Sequence, residues 1–149
     1  MEDVVVSLAL IHPRCRVLLR VDQQSVLNKP ASVDYAESVL GVFGTELADQ
    51  LGPVAFKSDD GYLEIKGFLP KPNTDVSLVS RNKNSRCYLY VNQRPVAPKD
   101  IISAIVNQYT QHVAQRDPST GKRYPFIFLN FMLDQSECDG TKLYVVIPL

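Results

Sequence analysis

The sequence contains no apolar run long enough to cross a membrane, and its first apolar stretch, Val4 to Ile11, follows acidic residues instead of the basic ones of a secretory signal. We therefore predict neither a membrane segment nor an export signal. Cysteine is scarce as well. Cys15, Cys87 and Cys138 are odd in number and show no paired spacing, which argues against a disulfide framework and a zinc site.

The sequence also lacks the common motifs of catalysis. Neither a GxxxxGK(S/T) loop nor a GxGxxG loop occurs. His12 and His112 have no nearby pattern of Cys, Ser or carboxylate that would make either one the base for a nucleophile. The acidic pair Asp59-Asp60 stands before Gly61, where a tight turn already explains it. We predict no catalytic residue and no metal ligand, so that this chain alone is not expected to be an enzyme.

Net charge is zero, but its distribution is uneven. Residues 61–130 carry ten bases and four acids, which permits a basic face on a neutral protein. Five of the bases follow one another without an intervening acid: Arg81, Lys83, Arg86, Arg94 and Lys99. Lys and Arg contact phosphates without regard to base sequence, so these five are the predicted DNA-binding residues. A solvated loop with ordinary lysines is the alternative that composition alone favours.

The segment 86–116 predicts a strand followed by a helix. Residues 87–91 alternate as a strand does and stop at the turn residues 92–95. Pro98 suits the first position of a helix. Apolar residues then recur at helical spacing, which predicts one buried stripe: Ile102, Ile105, Val106, Tyr109 and Val113.

Elements on both sides complete the predicted order. We expect a helix over 3–11 with Asp3 as its N-cap and four residues on its apolar side, Val4, Val5, Leu8 and Ile11. A hairpin over 16–28 is expected to follow. A helix capped by Ser32 and ended by Gly44 follows, then a hairpin over 54–69 in which Gly67 marks a bulge. A polar loop over 71–85, a buried strand over 126–133 and a last strand over 143–147 are also expected.

Strands with helices inserted between them indicate an α+β fold, a two-layer sandwich with a mixed sheet and helices on one face. At 149 residues the chain has the size of one ordinary domain, so we predict a single domain over 1–149.

The segment "YVNQRPVAPKDI" resembles the (F/Y)-V-N-x-R-P-V signature of the MutL family of DNA mismatch-repair proteins, in the domain that follows their GHKL-type ATPase domain. The stretches "VLGVFGTELADQL" and "GYLEIKGFLPKPN" precede it in the family's order and spacing. The likeness covers roughly residues 2–133 and is greatest to the eukaryotic postmeiotic-segregation branch.

The resemblance implies a transducer domain with a left-handed strand-helix-strand crossover, which couples ATP binding in an adjacent domain to conformational change and contacts duplex DNA. It implies that the GHKL ATPase domain, with its ATP and Mg, and the C-terminal dimerisation domain lie outside this chain. The expected partners are duplex DNA, the ATPase domain and a second MutL homologue, and the expected location is the nucleus.

The resemblance also bears on individual residues. A basic residue implicated in DNA binding lies five positions after the signature arginine, Arg94, and that position is Lys99 here. Arg94 itself is expected to hydrogen-bond backbone carbonyls within its turn. Its planar guanidinium suits such bonds as well as it suits contact with a phosphate. Near its C-terminal end the family carries a lysine that contacts the ATP γ-phosphate. The sequence DQSECDGTKLYVV departs from the family pattern there, and Lys142 is the residue that would take this role.

Two other classes of function remain open at this point. An RNA-binding or ribosome-associated module of similar two-layer fold would use the same basic loop. A protein-interaction domain would need neither ATP nor nucleic acid.

Overall fold

The computed structural model describes residues 2–134, and its internal contacts divide the chain into two compact units, Met1–Leu51 and Gly52–Leu149. The strand predicted over 143–147 lies outside the described residues. A single domain over 1–149 stays a prediction. None of the helices within 2–134 has the length and apolar character needed to cross a membrane.

The first unit consists of helices around a two-stranded antiparallel sheet. A positive-φ turn at Asp22 (φ 49°) and Gln23 (φ 66°) joins the two strands, which confirms the predicted hairpin. Gly44 has φ 86° at the end of the second helix, as expected of a helix-ending glycine. The elements in order are α1 (Glu2–Ile11), β1 (Val17–Val21), β2 (Gln24–Lys29), α2 (Tyr35–Phe43) and α3 (Thr45–Ala48).

Two helix caps in this unit differ from the prediction. Helix α1 already begins at Glu2, so Asp3 lies inside its first turn. Helix α2 is capped by Asp34, whose carboxylate accepts the Glu37 N–H at 2.9 Å, and not by Ser32. The Ser32 hydroxyl instead donates to the Pro13 carbonyl at 3.0 Å, a contact from outside the helix that local sequence does not reveal.

The buried side of α1 was predicted only in part, because Ile11 is buried as expected. Val4 and Leu8 are exposed, whereas Val6 and Leu10 are buried. The valines and leucines of this helix are spread around it, so that spacing alone does not select a face.

The Lys29 side chain connects strand β2 to the turn between α1 and β1 in the first unit. Its side chain is fully buried, and its Nζ donates to three backbone carbonyls, those of His12 (3.2 Å), Pro13 (2.8 Å) and Cys15 (2.8 Å). Burial lowers the pKa of this ammonium, although the nearby Cys15 thiol acts in the opposite direction. The three hydrogen bonds satisfy all three donors of the charged group and fix the turn between α1 and β1.

The second unit is built on a mixed five-stranded sheet in the order β3-β4-β9-β6-β7. Strand β9 lies between β4, which is antiparallel to it, and β6, which is parallel to it. The predicted α+β class with a mixed sheet is confirmed. The elements in order are β3 (Leu51–Lys57), β4 (Leu63–Pro70), α4 (Val76–Val79), β5 (Ser80–Arg81), β6 (Cys87–Val91), β7 (Arg94–Val96), α5 (Lys99–Arg116), β8 (Tyr124–Pro125) and β9 (Ile127–Leu133).

Helix α5 forms the second layer. Its Ile102, Ile105 and Val106 pack against one face of the sheet, on which Leu89 and Leu129 lie. The predicted helical stripe is confirmed, except that Tyr109 is only half-buried. Pro98 is the N-cap of α5 and not its first residue. The chain passes from β6 through β7 and α5 to the parallel strand β9, a strand-helix-strand connection whose left-handedness stays a prediction.

Two parts of this unit were not predicted. The segment 94–96, expected to be a turn, forms edge strand β7, which pairs with β6 across the positive-φ residues Asn92 and Gln93. The segment 71–85, expected to be a loop, contains helical turn α4 and strand β5, and β5 pairs with β8 in a separate small sheet.

Gly67 does not mark a bulge, because the β4–β9 register runs without a shift from Leu63 to Phe68. It marks a close approach of two backbones. A Cβ on Gly67 would lie only 1.8 Å from the carbonyl oxygen of Phe128. The residue therefore has to be glycine for β4 and β9 to pair as they do.

We expect Gly67→Ala to lower the free energy of unfolding by about 1–3 kcal/mol, because the added methyl forces β4 away from β9. Urea unfolding followed by circular dichroism measures this change. Gly121→Ala is the matched control, since nothing lies within 4 Å of its Cβ position, and it should change stability by less than about 0.5 kcal/mol. Equal effects of the two substitutions would contradict the close approach.

We expect Lys29→Met to lower the free energy of unfolding by about 1–3 kcal/mol, because it removes the shared donor of three carbonyls at a buried site. The exposed Lys57 provides a control, and Lys57→Met should cost less than about 0.5 kcal/mol in the same urea titration. A Lys29→Met protein as stable as the control would show that the ammonium contributes nothing.

Candidate nucleic-acid interface

The structure brings Arg81 and Arg86 together at one end of the sheet. Arg81 lies in β5, and Arg86 directly precedes β6, where its carbonyl accepts the Ile127 N–H at 2.9 Å. Burial lowers the pKa of the Arg86 guanidinium, and the positive charge of Arg81 lowers it further. The effect of Arg81 on Arg86 indicates that the two side chains lie near each other.

Two lysines belong to the same surface. Lys83 is exposed in the turn between Arg81 and Arg86, where its carbonyl accepts the Ser85 N–H at 2.9 Å. Lys122 is exposed beside strand β8, and its Nζ lies 5.3 Å from the centre of the Tyr124 ring. Tyr124 pairs directly with Arg81. We call four residues the basic cluster: Arg81, Lys83, Arg86 and Lys122.

Arg123 has a different role from its neighbours. Its Nε donates to the Ser80 hydroxyl and its Nη2 to the Ser80 carbonyl, each at 3.0 Å. Its backbone N–H donates to the Thr110 hydroxyl of α5 at 3.1 Å, and that hydroxyl donates back to the Arg123 carbonyl at 3.2 Å. Arg123 therefore ties strand β5, and with it the base of the basic cluster, to helix α5.

Two aspartates of the second unit accept hydrogen bonds from a serine two residues further on. The Asp75 carboxylate accepts the N–H and the hydroxyl of Ser77 at 2.9 and 2.7 Å. Asp117 accepts the same two groups of Ser119 at 3.0 and 2.6 Å. These hydrogen bonds lower the pKa of both carboxyls, so both are ionised at neutral pH.

Arg94 and Lys99 lie apart from this cluster in the fold. Arg94 begins β7 opposite Val91, at the other end of β6 from Arg86. Five strand residues separate the two ends, a distance of about 17 Å along the strand. Lys99 is exposed at the first position of α5. The structure therefore groups three of the five predicted residues, and DNA contact by Arg94 and Lys99 stays a prediction.

The structural role expected for Arg94 belongs to Asn92 instead. The Arg94 side chain is exposed and makes no hydrogen bond to another residue within 2–134. The Asn92 side chain accepts the Leu133 N–H at 2.9 Å, and the Gln93 N–H donates to the side-chain Oδ1 of Asn130 at 3.1 Å. These two bonds fix the β6–β7 turn to β9. The buried Nδ2 of Asn130 has no hydrogen-bond partner within the described part of the chain.

The expectation that ATP and Mg bind outside this chain stays a prediction. Within residues 2–134, no three His, Cys, Asp or Glu side chains come together to hold a metal ion. Lys142 lies outside the described residues, so its contact with an ATP phosphate stays a prediction. Stacking on unpaired bases would need exposed aromatic rings, but Tyr88 and Tyr90 are buried and Tyr124 is half-buried.

Comparison with known proteins shows which family has this sequence pattern. A family model described as "DNA mismatch repair protein, C-terminal domain" matches residues 39–140, which is more than half of the chain. The chain belongs to this family. The match includes α5, β9 and all four residues of the basic cluster, but it leaves out α1 and the β1–β2 hairpin.

Relatives come from eukaryotes and bacteria. PMS1 protein homolog 1 of Homo sapiens is 24% identical over 138 residues, which are 93% of this chain and 14% of that protein. DNA mismatch repair protein MutL of Geobacillus kaustophilus is 33% identical over 132 residues, which are 89% of this chain and 19% of that protein. The chain thus spans about a seventh to a fifth of the length of these relatives. The predicted resemblance to MutL-type proteins is confirmed.

Two solved structures share the fold. The first, the N-terminal domain of a DNA repair protein, has a TM-score of 0.64 at 21% identity, over 95% of this chain and 43% of that one. The second, the Aquifex aeolicus MutL ATPase domain complexed with ADP, has a TM-score of 0.55 at 18% identity, over 89% of this chain and 41% of that one. Both likenesses support the mixed α+β architecture.

Cys87 stands next to the basic cluster, yet we expect its thiol to be unreactive. Burial raises the pKa of Cys87 to about 11 from its ordinary value of 9.0. At pH 8 the thiolate fraction is then about 100-fold smaller in the folded than in the unfolded protein. In a Cys15→Ser/Cys138→Ser protein, Ellman's reagent should react with Cys87 about 100-fold more slowly than in urea.

The pH profile separates this effect from simple steric protection. The rate in the folded protein should keep rising about tenfold per pH unit up to roughly pH 11, whereas the rate in urea should level off near pH 9. Parallel profiles would show that the thiol is shielded without a change in its pKa.

Proposed function

We propose that this chain is the transducer module of a MutL-type mismatch-repair protein, which contacts duplex DNA through the basic cluster and couples ATP binding in an adjacent domain to movement. The observation that carries the proposal is the family match, which covers the cluster and the packed strand-helix-strand connection together. Fold likeness alone would not have been enough, since one fold serves many functions.

The chemistry of the cluster supports DNA as its ligand. Arg81, Lys83 and Lys122 are exposed, and Arg86 is half-buried beside Arg81. Cationic side chains on one surface attract anions, and a phosphate backbone supplies anions at a regular spacing. Because buried tyrosines cannot stack on bases, contact with phosphates is favoured over contact with unpaired bases.

The connection from β6 through α5 to β9 supports the coupling role. Helix α5 buries an apolar stripe on the sheet, and Arg123 joins the helix to the strand that carries Arg81. A unit packed in this way moves as a rigid body, which is a common form of switching between domains. Movement of an attached ATPase domain would then displace the DNA-facing cations together.

Further parts of the proposal go beyond this chain. The relatives are five to seven times longer than the matched segment, and one structural neighbour is described as an ATPase domain with ADP. We therefore propose an ATPase domain of the same protein, with its ATP and Mg, and a second MutL homologue as partners. Relatives in Homo sapiens and Arabidopsis thaliana favour a nuclear location, although bacterial proteins match as well.

The test is duplex-DNA binding across a salt series. Each phosphate contact contributes about 0.9 to the slope of log K against log salt concentration. Arg81→Gln/Lys83→Gln should therefore weaken binding and flatten the slope by about 1.8. Lys57→Gln/Lys66→Gln, which removes the same charge from strands β3 and β4, should leave the slope within about 0.5.

The remaining variants decide the extent of the surface. Arg94→Gln/Lys99→Gln should flatten the slope by a similar amount if one duplex lies along β6, because about 17 Å corresponds to about five base pairs. An unchanged slope for Arg81→Gln/Lys83→Gln would remove the DNA contact from the proposal. Tighter binding of structured RNA than of duplex DNA would favour the RNA-binding alternative.

A further inference from the structure

An open groove of about 610 Å³ lies within the second unit, away from the basic cluster. The beginning of β3, the end of β4 with the loop that follows it, and the C-terminal half of α5 form its walls. None of the four cluster residues belongs to its described lining. Its volume falls within the range of roughly 300–1,000 Å³ that is typical of ligand-binding clefts.

The floor of the groove is apolar. The apolar residues that line it include Val54 and Leu69 from the sheet, Ile105 and Val113 from α5, and Pro125. Four prolines line the groove, at positions 53, 70, 72 and 125, and they have no backbone N–H to offer. A ligand would therefore be held mainly by side-chain contacts on an apolar surface.

Local contacts shape the wall formed by residues 70–74. The Thr74 hydroxyl donates to the Lys71 carbonyl at 3.0 Å, and Asn73 adopts φ 61° between them. Gly52 leaves room for the Lys71 side chain, since a Cβ there would lie 3.3 Å from Lys71 Cγ. Directly after this wall, Asp75 caps α4. A loop that is already held by its own contacts loses less conformational freedom when a ligand binds, which favours affinity.

The charge at the rim is positive. Arg116 lines the groove from the last turn of α5 and is exposed. No Asp or Glu occurs among the described residues that line the groove. Asp117 follows Arg116, but its carboxylate accepts two hydrogen bonds from Ser119. An apolar floor beside an arginine suits a ligand that combines an apolar group with a carboxylate.

The position of the groove favours an extended peptide as that ligand. Gly52, Pro53 and Val54 come from β3, the outermost strand on this side of the described sheet. A chain segment lying along such an edge presents every second side chain to the same face. An apolar residue and an acidic one two positions away can then reach the floor and the rim together.

We propose that this groove binds a short peptide segment of a partner protein, with a Leu, Ile or Phe side chain on the floor and an Asp or Glu carboxylate against Arg116. The exposed amides Gln108, Gln111 and Gln115 along α5 supply donors and acceptors for the peptide backbone. The site does not depend on the DNA contact, because the two surfaces share no residue.

The test begins with a random seven-residue peptide library displayed on phage and selected on the whole chain. Enriched peptides are then synthesised with a fluorescein label, and their Kd is measured by fluorescence anisotropy. Gln108→Trp fills the groove from an exposed position of α5. Asn107→Trp is its matched control, because Asn107 is exposed on the same helix and does not line the groove.

Enriched peptides should pair an acidic residue with a large apolar one. Their Kd should rise about tenfold or more for Gln108→Trp and for Arg116→Glu, as expected when an apolar contact or a charge-assisted hydrogen bond is lost. It should stay within about twofold for Asn107→Trp and for Lys57→Glu, which reverses an exposed charge elsewhere in this unit. No enrichment, enrichment of basic peptides, or unchanged affinity for both groove variants would overturn the proposal.

Discussion

Parallel pairing of β6 with β9 is the constraint on which the arrangement of the second unit depends. Parallel neighbours cannot be joined by a tight turn, so the chain between them has to cross the sheet, and α5 makes that crossing. The return to β9 brings β8 beside β5, which pairs Tyr124 with Arg81, and Lys122 lies over the Tyr124 ring. The same crossing lays the C-terminal half of α5 over the end of β4, where the groove forms. Both candidate sites follow from one pairing.

The cationic side chains of this protein fall into two groups, one that makes hydrogen bonds within the fold and one that is exposed to solvent. Arg123 and Lys29 donate hydrogen bonds to carbonyls and a hydroxyl within the fold. Both connect segments that are distant in sequence. Arg81, Lys83 and Lys122 face solvent. A count of cations along the sequence does not separate these two groups, whereas their hydrogen-bond partners do. For a neutral protein, this separation leaves a local excess of positive charge at the surface.

The sequence was informative where a local pattern decides the outcome. The alternation in β6, the stripe of α5 and the apolar run of β9 were predicted because burial on one or both faces dictates them. Predictions failed where a distant partner decides. Ser32 and Asp34 are both good caps, and the Pro13 carbonyl determines which one is free to serve. Strand β7 is only three residues long and contains Pro95, so its pairing leaves almost no trace in the sequence.

The candidate site was predictable in part for the same reason. Arg81, Lys83 and Arg86 are close in sequence and therefore close in space, but Lys122 joins them only through a two-residue bridge. The groove had no sequence signal at all, since its walls come from three elements far apart in the chain.

Chemical labelling of the buried Lys29 ammonium can report local opening of the first unit. An amine-reactive label modifies lysines in contact with water, and Lys29 is fully enclosed by the carbonyls that it holds. Its labelling therefore requires the turn between α1 and β1 to come apart. Mass spectrometry of a labelled sample can thus follow local opening of this unit separately from the rest of the chain.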